Sequence, residues 1–421
     1  MILTGEREGQ AKGKDGKGDA GWLYLRKGTA RVRTSIISLM RDPASFVYMD
    51  NAATSWPKAP GVAEAVARSL AEPFGSPGRG THSMVVSADR LVFEARSAAA
   101  ELFGFGEPSR LIFTAGTTAS INLVLRGTLH RGAVLALSAM EHNAVMRPAR
   151  VLEKELGLVV RVFADKNAFQ EVLKEEPDLL VFTSASNVTG AVLPFAEMAR
   201  EARRISPGTL VAIDAAQSAG EALVDLGSFP FDFFCVSAHK GLLSPAGLGL
   251  LFLGPRAAPT PLIYGGTGSD SEAGDQPAFL PDRYESGTQN LPAIAGLLAA
   301  ARYMQERGVA ALAAGRKQSA ECLRRGVAEM PAFRVHGPAN AEERLSIVSL
   351  THASFPVDEL AGKLHEQGIA CRHGLHCAPA AHAAIGTLAT GGTVRLSPGP
   401  FTTQSDIDRT LEVLRRIGAE S

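Results

Sequence analysis

From Phe46 onward the chain alternates short apolar runs with amphipathic stretches. The runs RLIFT (110–114), AVLALS (133–138), VVRVFA (159–164), DLLVFT (178–183), TLVAID (209–214), FDFFCVS (231–237) and GLGLLFLG (247–254) are apolar almost throughout. Continuous rather than alternating apolarity predicts strands covered on both faces. Between them lie stretches such as PFAEMAREARRI (194–205), whose apolar positions recur at three and four as in a helix. Strands spaced by helices predict a mainly parallel sheet in an α/β layer architecture, with ligands at the carboxyl ends of the strands. After about residue 300, longer helices surround fewer strands, such as RLSIVSL (344–350), which predicts a smaller α+β lobe. Its last helix is expected to open at Ser405-Asp406-Ile407-Asp408, a capping-box-like spacing ahead of Leu411, Leu414 and Ile417. The organisation expected is an N-terminal segment over 46–70 joining the lobes, a large domain over 71–299 and a small domain over 300–421. Residues 1–45 are rich in lysine, arginine and glycine and are expected to form a disordered extension.

Composition narrows the function. Of 421 residues, 45% are hydrophobic and 20% charged, as in an ordinary globular protein. Lys+Arg and Asp+Glu are equal at 43 each, which removes the electrostatic argument for nucleic acid or an anionic membrane as partner. No run approaches the roughly 18 apolar residues of a bilayer span. The opening GEREGQAKGKDGKGDAG is unlike a signal peptide, so the expected location is cytoplasmic, with no membrane association. Cys235, Cys322, Cys371 and Cys377 are too scattered for a disulfide framework, and any that matters is expected to be a reactive thiol.

Chemistry concentrates after the strands. Lys240 follows FDFFCVS in Ser237-Ala238-His239-Lys240-Gly241, and an ammonium at a buried strand end must be solvated, paired or consumed. A Schiff base with the aldehyde of pyridoxal phosphate consumes it. Asp214 ends TLVAID, where a carboxylate can keep a pyridine nitrogen protonated or simply cap a helix. Gly116-Thr117-Thr118 follows RLIFT and opens a helix, a place for phosphate or for ordinary capping. Ser237 and His239 are further phosphate donors, and His142, just past AVLALS, is a catalytic candidate placed to lie over a ring or shuttle protons, or a residue that serves only structure. In Arg372-His373-Gly374-Leu375-His376-Cys377-Ala378-Pro379 a thiol has three basic neighbours, which favour the thiolate. A metal site from His373, His376, Cys377 and either His382 or Cys371 matches no common zinc spacing, and no metal is expected. Arg395 in TVRLSPG fits a carboxylate grip or a salt bridge between lobes.

Together YMDNAATSWP, PGRGTH, FTAGTTASIN, EHNAV, SNVTG, DAAQSAG, SAHKG, YESGTQN, RHGLHCAP and TVRLSPGPFTT resemble the class V, fold-type I pyridoxal-phosphate enzymes, specifically the cysteine desulfurases and selenocysteine lyases. The similarity runs from about Tyr48 to Ile417, and the subgroup it points to is usually labelled cysteine desulfurase-like. The resemblance implies a large cofactor domain with a mainly parallel seven-stranded sheet and a small domain carrying the cysteine loop. It implies that Lys240 binds the cofactor aldehyde, Asp214 pairs with the pyridine nitrogen, Gln217 reaches the ring hydroxyl and His142 stacks on the ring. Thr117, Thr118, Ser237 and His239 are implied phosphate ligands, and Thr288 reaches the phosphate of a neighbouring subunit, which makes the protein a homodimer. Asn187 and Arg395, with Arg372 nearby, are implied to orient the substrate carboxylate, while His82 matches a motif near the site. Cys377 is implied to attack the sulfur of L-cysteine, leaving a persulfide and L-alanine, and L-selenocysteine follows the same path. A sulfur-acceptor protein is a further expected partner. Two alternatives stay open: another class V aminotransferase or lyase, and a non-catalytic pyridoxal-phosphate-binding partner in sulfur delivery.

Overall fold

The computed structural model describes residues 46–270 and 272–420, so the expected extension over 1–45 lies outside the described residues. After the short strand β1 (Val47–Tyr48) come β2 (Leu111–Thr114), β3 (Val134–Ser138), β4 (Val159–Phe163), β5 (Leu179–Thr183), β6 (Leu210–Asp214), β7 (Phe233–Ser237) and β8 (Gly249–Leu253). These last are the seven apolar runs expected from the sequence, trimmed at their ends where the chain turns. They form one sheet in the order β2-β8-β7-β6-β5-β3-β4, with β8 antiparallel to both neighbours and the other pairs parallel.

Every residue of β5, β7 and β8 is buried, because helices cover both faces. The helices are α1 (Val62–Ala71), α2 (Ser83–Leu102), α3 (Thr117–Thr128), α4 (Asn143–Leu156), α5 (Lys166–Lys174), α6 (Phe195–Ile205) and α7 (Leu291–Arg307) in the first part of the chain. In β5, Leu179 and Val181 pack with Val124 of α3 and Val145 of α4, whereas Leu180 and Phe182 pack on the opposite face with Ala199 of α6 and Leu297 of α7. Helix α7 runs unbroken through the expected boundary at 299/300, and its buried face belongs to this larger core.

After Gly308 the chain forms α8 (Val309–Ala328), β9 (Phe333–His336), β10 (Val348–His352), α9 (Val357–Glu366), β11 (Ile369–Ala370), β12 (Arg372–Gly374), α10 (Pro379–Ala384), β13 (Thr393–Leu396) and α11 (Gln404–Gly418). An antiparallel sheet, β12-β13-β10-β9, packs under α8, α9 and α11 through Leu323, Leu350, Leu360 and Leu414. The strand expected over 344–350 is shifted: it starts at Val348, because Ala191 forms a bridge with Arg344. Helix α11 starts earlier than its expected opening at Ser405. Thr403 is its cap, bonding reciprocally with Asp406 through Asp406 N to Thr403 Oγ1 (3.2 Å) and Thr403 N to Asp406 Oδ2 (2.8 Å).

The N-terminal segment joins the two layers. β1 pairs in parallel with β11, Asp50 bridges to Ser397, and Ser55 N then donates to His239 O at 2.9 Å beside the larger sheet. On the far side, Arg96 of α2 grips Glu285 with two bonds of 2.7 and 2.8 Å, both side chains under 10% exposed. Glu285 also accepts from Phe113 N (2.6 Å) and Gln289 Nε2 (2.6 Å), fixing the segment that carries Thr288. Removing one partner of a buried ion pair strands the other charge. Glu285→Ala is therefore expected to lower the unfolding free energy by about 3–5 kcal/mol in chemical denaturation, and a loss under about 1 kcal/mol contradicts this account.

Candidate active site

Parallel pairing sets neighbouring strand tips side by side: Thr183 of β5 is level with Asp214 of β6, and Asp214 with Cys235 of β7. Beyond Ser237 the chain turns through Ala238 and His239 to Lys240, and Leu243 N closes the turn on Lys240 O at 2.9 Å. A cavity of about 1020 Å³ opens over these tips, lined by Asp214, Gln217, Ser237, His239 and Lys240. Its other walls carry Thr117 and Thr118 at the start of α3, His142 and Asn187, with Thr288 exposed at the rim.

Burial governs the charges. It pushes the Lys240 amine down to about 8, against the attraction of Asp214 and with smaller repulsions from Arg395 and Arg372. It raises the Asp214 carboxyl, against the pull of its bond from Ala216 N (2.9 Å) and of Lys240. His142 and His239 are both held down to about 4, first by burial and next by Lys240, so both are neutral at pH 7. Nδ1 of His142 accepts from Ala144 N at 3.0 Å, which puts the ring proton on Nε2.

The cysteine loop lies beside this cavity rather than among its lining residues. His376 and Cys377 both take left-handed backbone angles (φ 47° and 58°), uncommon for residues with a Cβ. The turn is pinned to the larger sheet's loops: Asn187 Nδ2 donates to His376 O and Asn143 N donates to Cys377 O, each at 2.7 Å. Cys377 is exposed, and Arg372 Nη2 donates to its sulfur at 3.6 Å. The expected ring of three basic neighbours is corrected here. His376 turns inward, its Nε2 3.1 Å from Thr393 Oγ1, and burial pushes it down to about 2, so it carries no charge toward the thiol. His373 is exposed.

Arg395, 1% exposed on β13, donates from Nη1 to Asn187 O (2.9 Å) and from Nη2 to Asp50 Oδ1 (3.1 Å). Its Nε is buried without a partner among the described residues, a donor facing no protein acceptor. Among the described residues no group of three histidine, cysteine or carboxylate side chains is arranged to hold a metal.

Residues 47–410 match the family model Aminotransferase class-V. A cysteine desulfurase of Dickeya dadantii is 31% identical over 80% of this chain and 84% of its own length. The chain belongs to the class V aminotransferases, in the cysteine desulfurase family. A probable cysteine desulfurase of Methanothermobacter thermautotrophicus is 31% identical over 94% of this chain and 99% of its own. The apo structure of a cysteine desulfurase from Thermococcus onnurineus superposes with a TM-score of 0.83 at 26% identity, covering 90% of this chain and 96% of that one.

With this family as frame, the expected residues fall into two groups. The cavity takes the cofactor set and Asn187, whereas Cys377, Arg372 and Arg395 stand beside it on the smaller layer. His82 stands just before α2 without a side-chain capping bond, exposed and away from the lining. Sequence reasoning missed Glu141, fully buried between the tips of β3 and β5, where its Oε1 accepts from Ser138 Oγ (2.5 Å) and Thr183 N (2.7 Å). Burial lifts its carboxyl to about 8. Its position next to His142 was the available signal. Also missed was Lys58, whose amine donates to Thr54 Oγ1, Ser55 Oγ and His239 O at 3.0–3.2 Å. Neither Lys58 nor Asp50 stands after a strand of the large sheet, so strand-end reasoning passed them over.

A lysine held near 8 loses its proton, and gains nucleophilicity, as pH rises through that value. Acetylation of the cofactor-free protein by acetic anhydride, read peptide by peptide, should give Lys240 a midpoint about two units below that of exposed lysines. A midpoint near 10.4 contradicts the burial argument.

Proposed function

We propose that the protein is a pyridoxal-phosphate-dependent cysteine desulfurase that moves sulfur from L-cysteine to Cys377 and releases L-alanine. The observation that carries this reading is the pinning of the exposed Cys377 turn, through Asn143 and Asn187, onto the loops after β3 and β5, in the same sheet whose β6 and β7 lead to Asp214 and Lys240.

The cavity fits the cofactor. Thr117 Oγ1 and Gln217 Oε1 are buried without partners among the described residues, a hydroxyl for phosphate and an acceptor for a ring hydroxyl. Gly116, at φ 143° with no atom where a Cβ would stand, leaves the first N–H groups of α3 open to an anion, joined by Ser237 and His239. Asp214, costly to ionise when buried, gains from a protonated ring nitrogen opposite it. Held there, with Lys240 as the amine that meets its aldehyde, pyridoxal phosphate would supply a sink for the electron pair left on the substrate when its α-proton departs.

The chain's own residues do the rest. Lys240, whose amine loses its proton as pH rises through about 8, takes the α-proton once its amine is free. Arg395 offers its unpartnered Nε edge to the substrate carboxylate, steadied by Asp50 and Asn187 O. Cys377, next to the Arg372 guanidinium, attacks the substrate sulfur as thiolate. A sulfur–sulfur bond forms, the substrate carbon–sulfur bond breaks, and a proton replaces sulfur on the carbon, so cysteine plus thiol become alanine plus persulfide. L-Selenocysteine takes the same route. Thr288 at the cavity rim serves the phosphate of a second copy, and the enzyme works as a homodimer in the cytoplasm.

Cys377→Ala should keep cofactor binding while alanine release from cysteine falls roughly a hundredfold or more. The other cysteines should tolerate alanine, since Cys235 is buried and burial pushes Cys371 up to about 12. Undiminished alanine release from Cys377→Ala, or keto acid as the main product, would point to the transaminase or lyase chemistry instead.

The pinned turn also restricts delivery. With both carbonyls of the Cys377 turn held, the persulfide cannot swing far, so turnover should rise several-fold when a small thiol reductant is added. Equal rates with and without reductant at saturating cysteine would show that persulfide release is not limiting.

A further inference from the structure

Arg316 is an arginine of α8, the helix that packs on the smaller sheet, yet its side chain leaves that layer. It is 2% exposed, and among the described residues it forms no ion pair. The charges that face it are Glu221, whose Oε2 is occupied by Ser346 Oγ at 2.5 Å, and the Tyr303 hydroxyl. A buried guanidinium without a bonded acid is costly, so its position needs a reason.

The reason lies in what it touches. Nη1 donates to Gly220 O, and Nη2 donates to Gly241 O at 3.0 Å. Gly220 ends the loop that begins at Asp214 and carries Gln217, and Gly241 follows Lys240 directly. The two loops touch so closely that a Cβ on Gly220 would strike the Gly241 carbonyl, and one on Gly241 would strike the Ala219 carbonyl. Close backbones leave two carbonyl dipoles near each other at a dry boundary, and a planar, forked cation can bond both at once.

We propose that Arg316 is a positioning residue: by clamping the carbonyls of Gly220 and Gly241, it fixes the Asp214 loop and the Lys240 turn relative to each other from the smaller layer. This rests on the reading of Lys240 as the cofactor lysine only for its functional meaning; the clamp itself is a statement about where the Lys240 amine sits. Arg316 touches neither substrate nor cofactor. It acts through the Lys240 turn, holding the backbone beside the amine in its buried place.

The test is the acetylation profile of Lys240 in full-length, cofactor-free protein, with folding checked by circular dichroism and thermal melting. In Arg316→Met the volume is kept and the clamp lost. The Lys240 midpoint should move up by about one pH unit, and labelling at neutral pH should fall roughly tenfold. Arg316→Lys, which keeps the charge but loses the planar fork that bonds both carbonyls, should show about half of that shift. A folded Arg316→Met protein with the wild-type midpoint overturns the proposal, even if its melting temperature has dropped, since lost stability alone would leave Lys240 unmoved. If Arg316→Met does not fold, Arg316→Lys decides alone: a raised midpoint supports the clamp and a wild-type midpoint overturns it. Separately, pyridoxal phosphate and borohydride are applied to the wild type. Failure to fix the cofactor on Lys240 there counts against the proposed function and leaves the acetylation result to judge the clamp.

Discussion

A carboxyl and an amine share the dry carboxyl edge of a parallel sheet, and each is pushed toward its neutral form by burial. Asp214 and Lys240 owe this to strand register: β6 and β7 run parallel, so the residues that leave them emerge together above covered strands. The same edge supplies the N-terminus of α3 and the buried Ser237, so backbone N–H groups, a carboxyl and an amine line one cavity. The aldehyde cofactor proposed for this cavity would resolve the conflict that burial creates, since it would consume the amine and bring a cation to the carboxylate.

The smaller layer finishes the site without forming its floor. Asp50 and Arg395 join the N-terminal segment to β13, Asn187 ties the cysteine turn to the loop after β5, and Arg316 reaches back to the glycines beside Lys240. Each is a polar contact made at a buried boundary, where a lost partner costs more than at the surface. The Cys377 turn is thus held on one side, and the cavity lined by Asp214 and Lys240 lies on the other.

Most of the larger sheet was legible in the sequence because strands covered on both faces must be apolar throughout, and turns at their ends stand out. The grouping of Thr117, Asp214, Ser237 and Lys240 around one cavity was legible for a related reason, as polar residues directly after apolar runs. Elements of the smaller layer were less so: β10 begins four residues later than its text suggests, because Arg344 is drawn into a bridge with Ala191, and α11 is capped by Thr403 rather than from Ser405. His376 was misjudged because its charge depends on burial, which local text does not reveal. Glu141, Lys58, Asp50 and Arg316 act through partners distant in sequence or through backbone carbonyls, and no spacing rule marks such contacts.

The central claim, that sulfur passes from the substrate to Cys377 under the control of the Asp214–Lys240 edge, is tested most directly by a single turnover with L-cysteine. The holoenzyme is mixed with one equivalent of cysteine without reductant, quenched with an alkylating agent and digested for mass spectrometry. The account predicts one added sulfur atom on the Cys377 peptide and an equal amount of alanine. Alanine formed with no sulfur on Cys377, or with the sulfur on Cys235, Cys322 or Cys371, would contradict it.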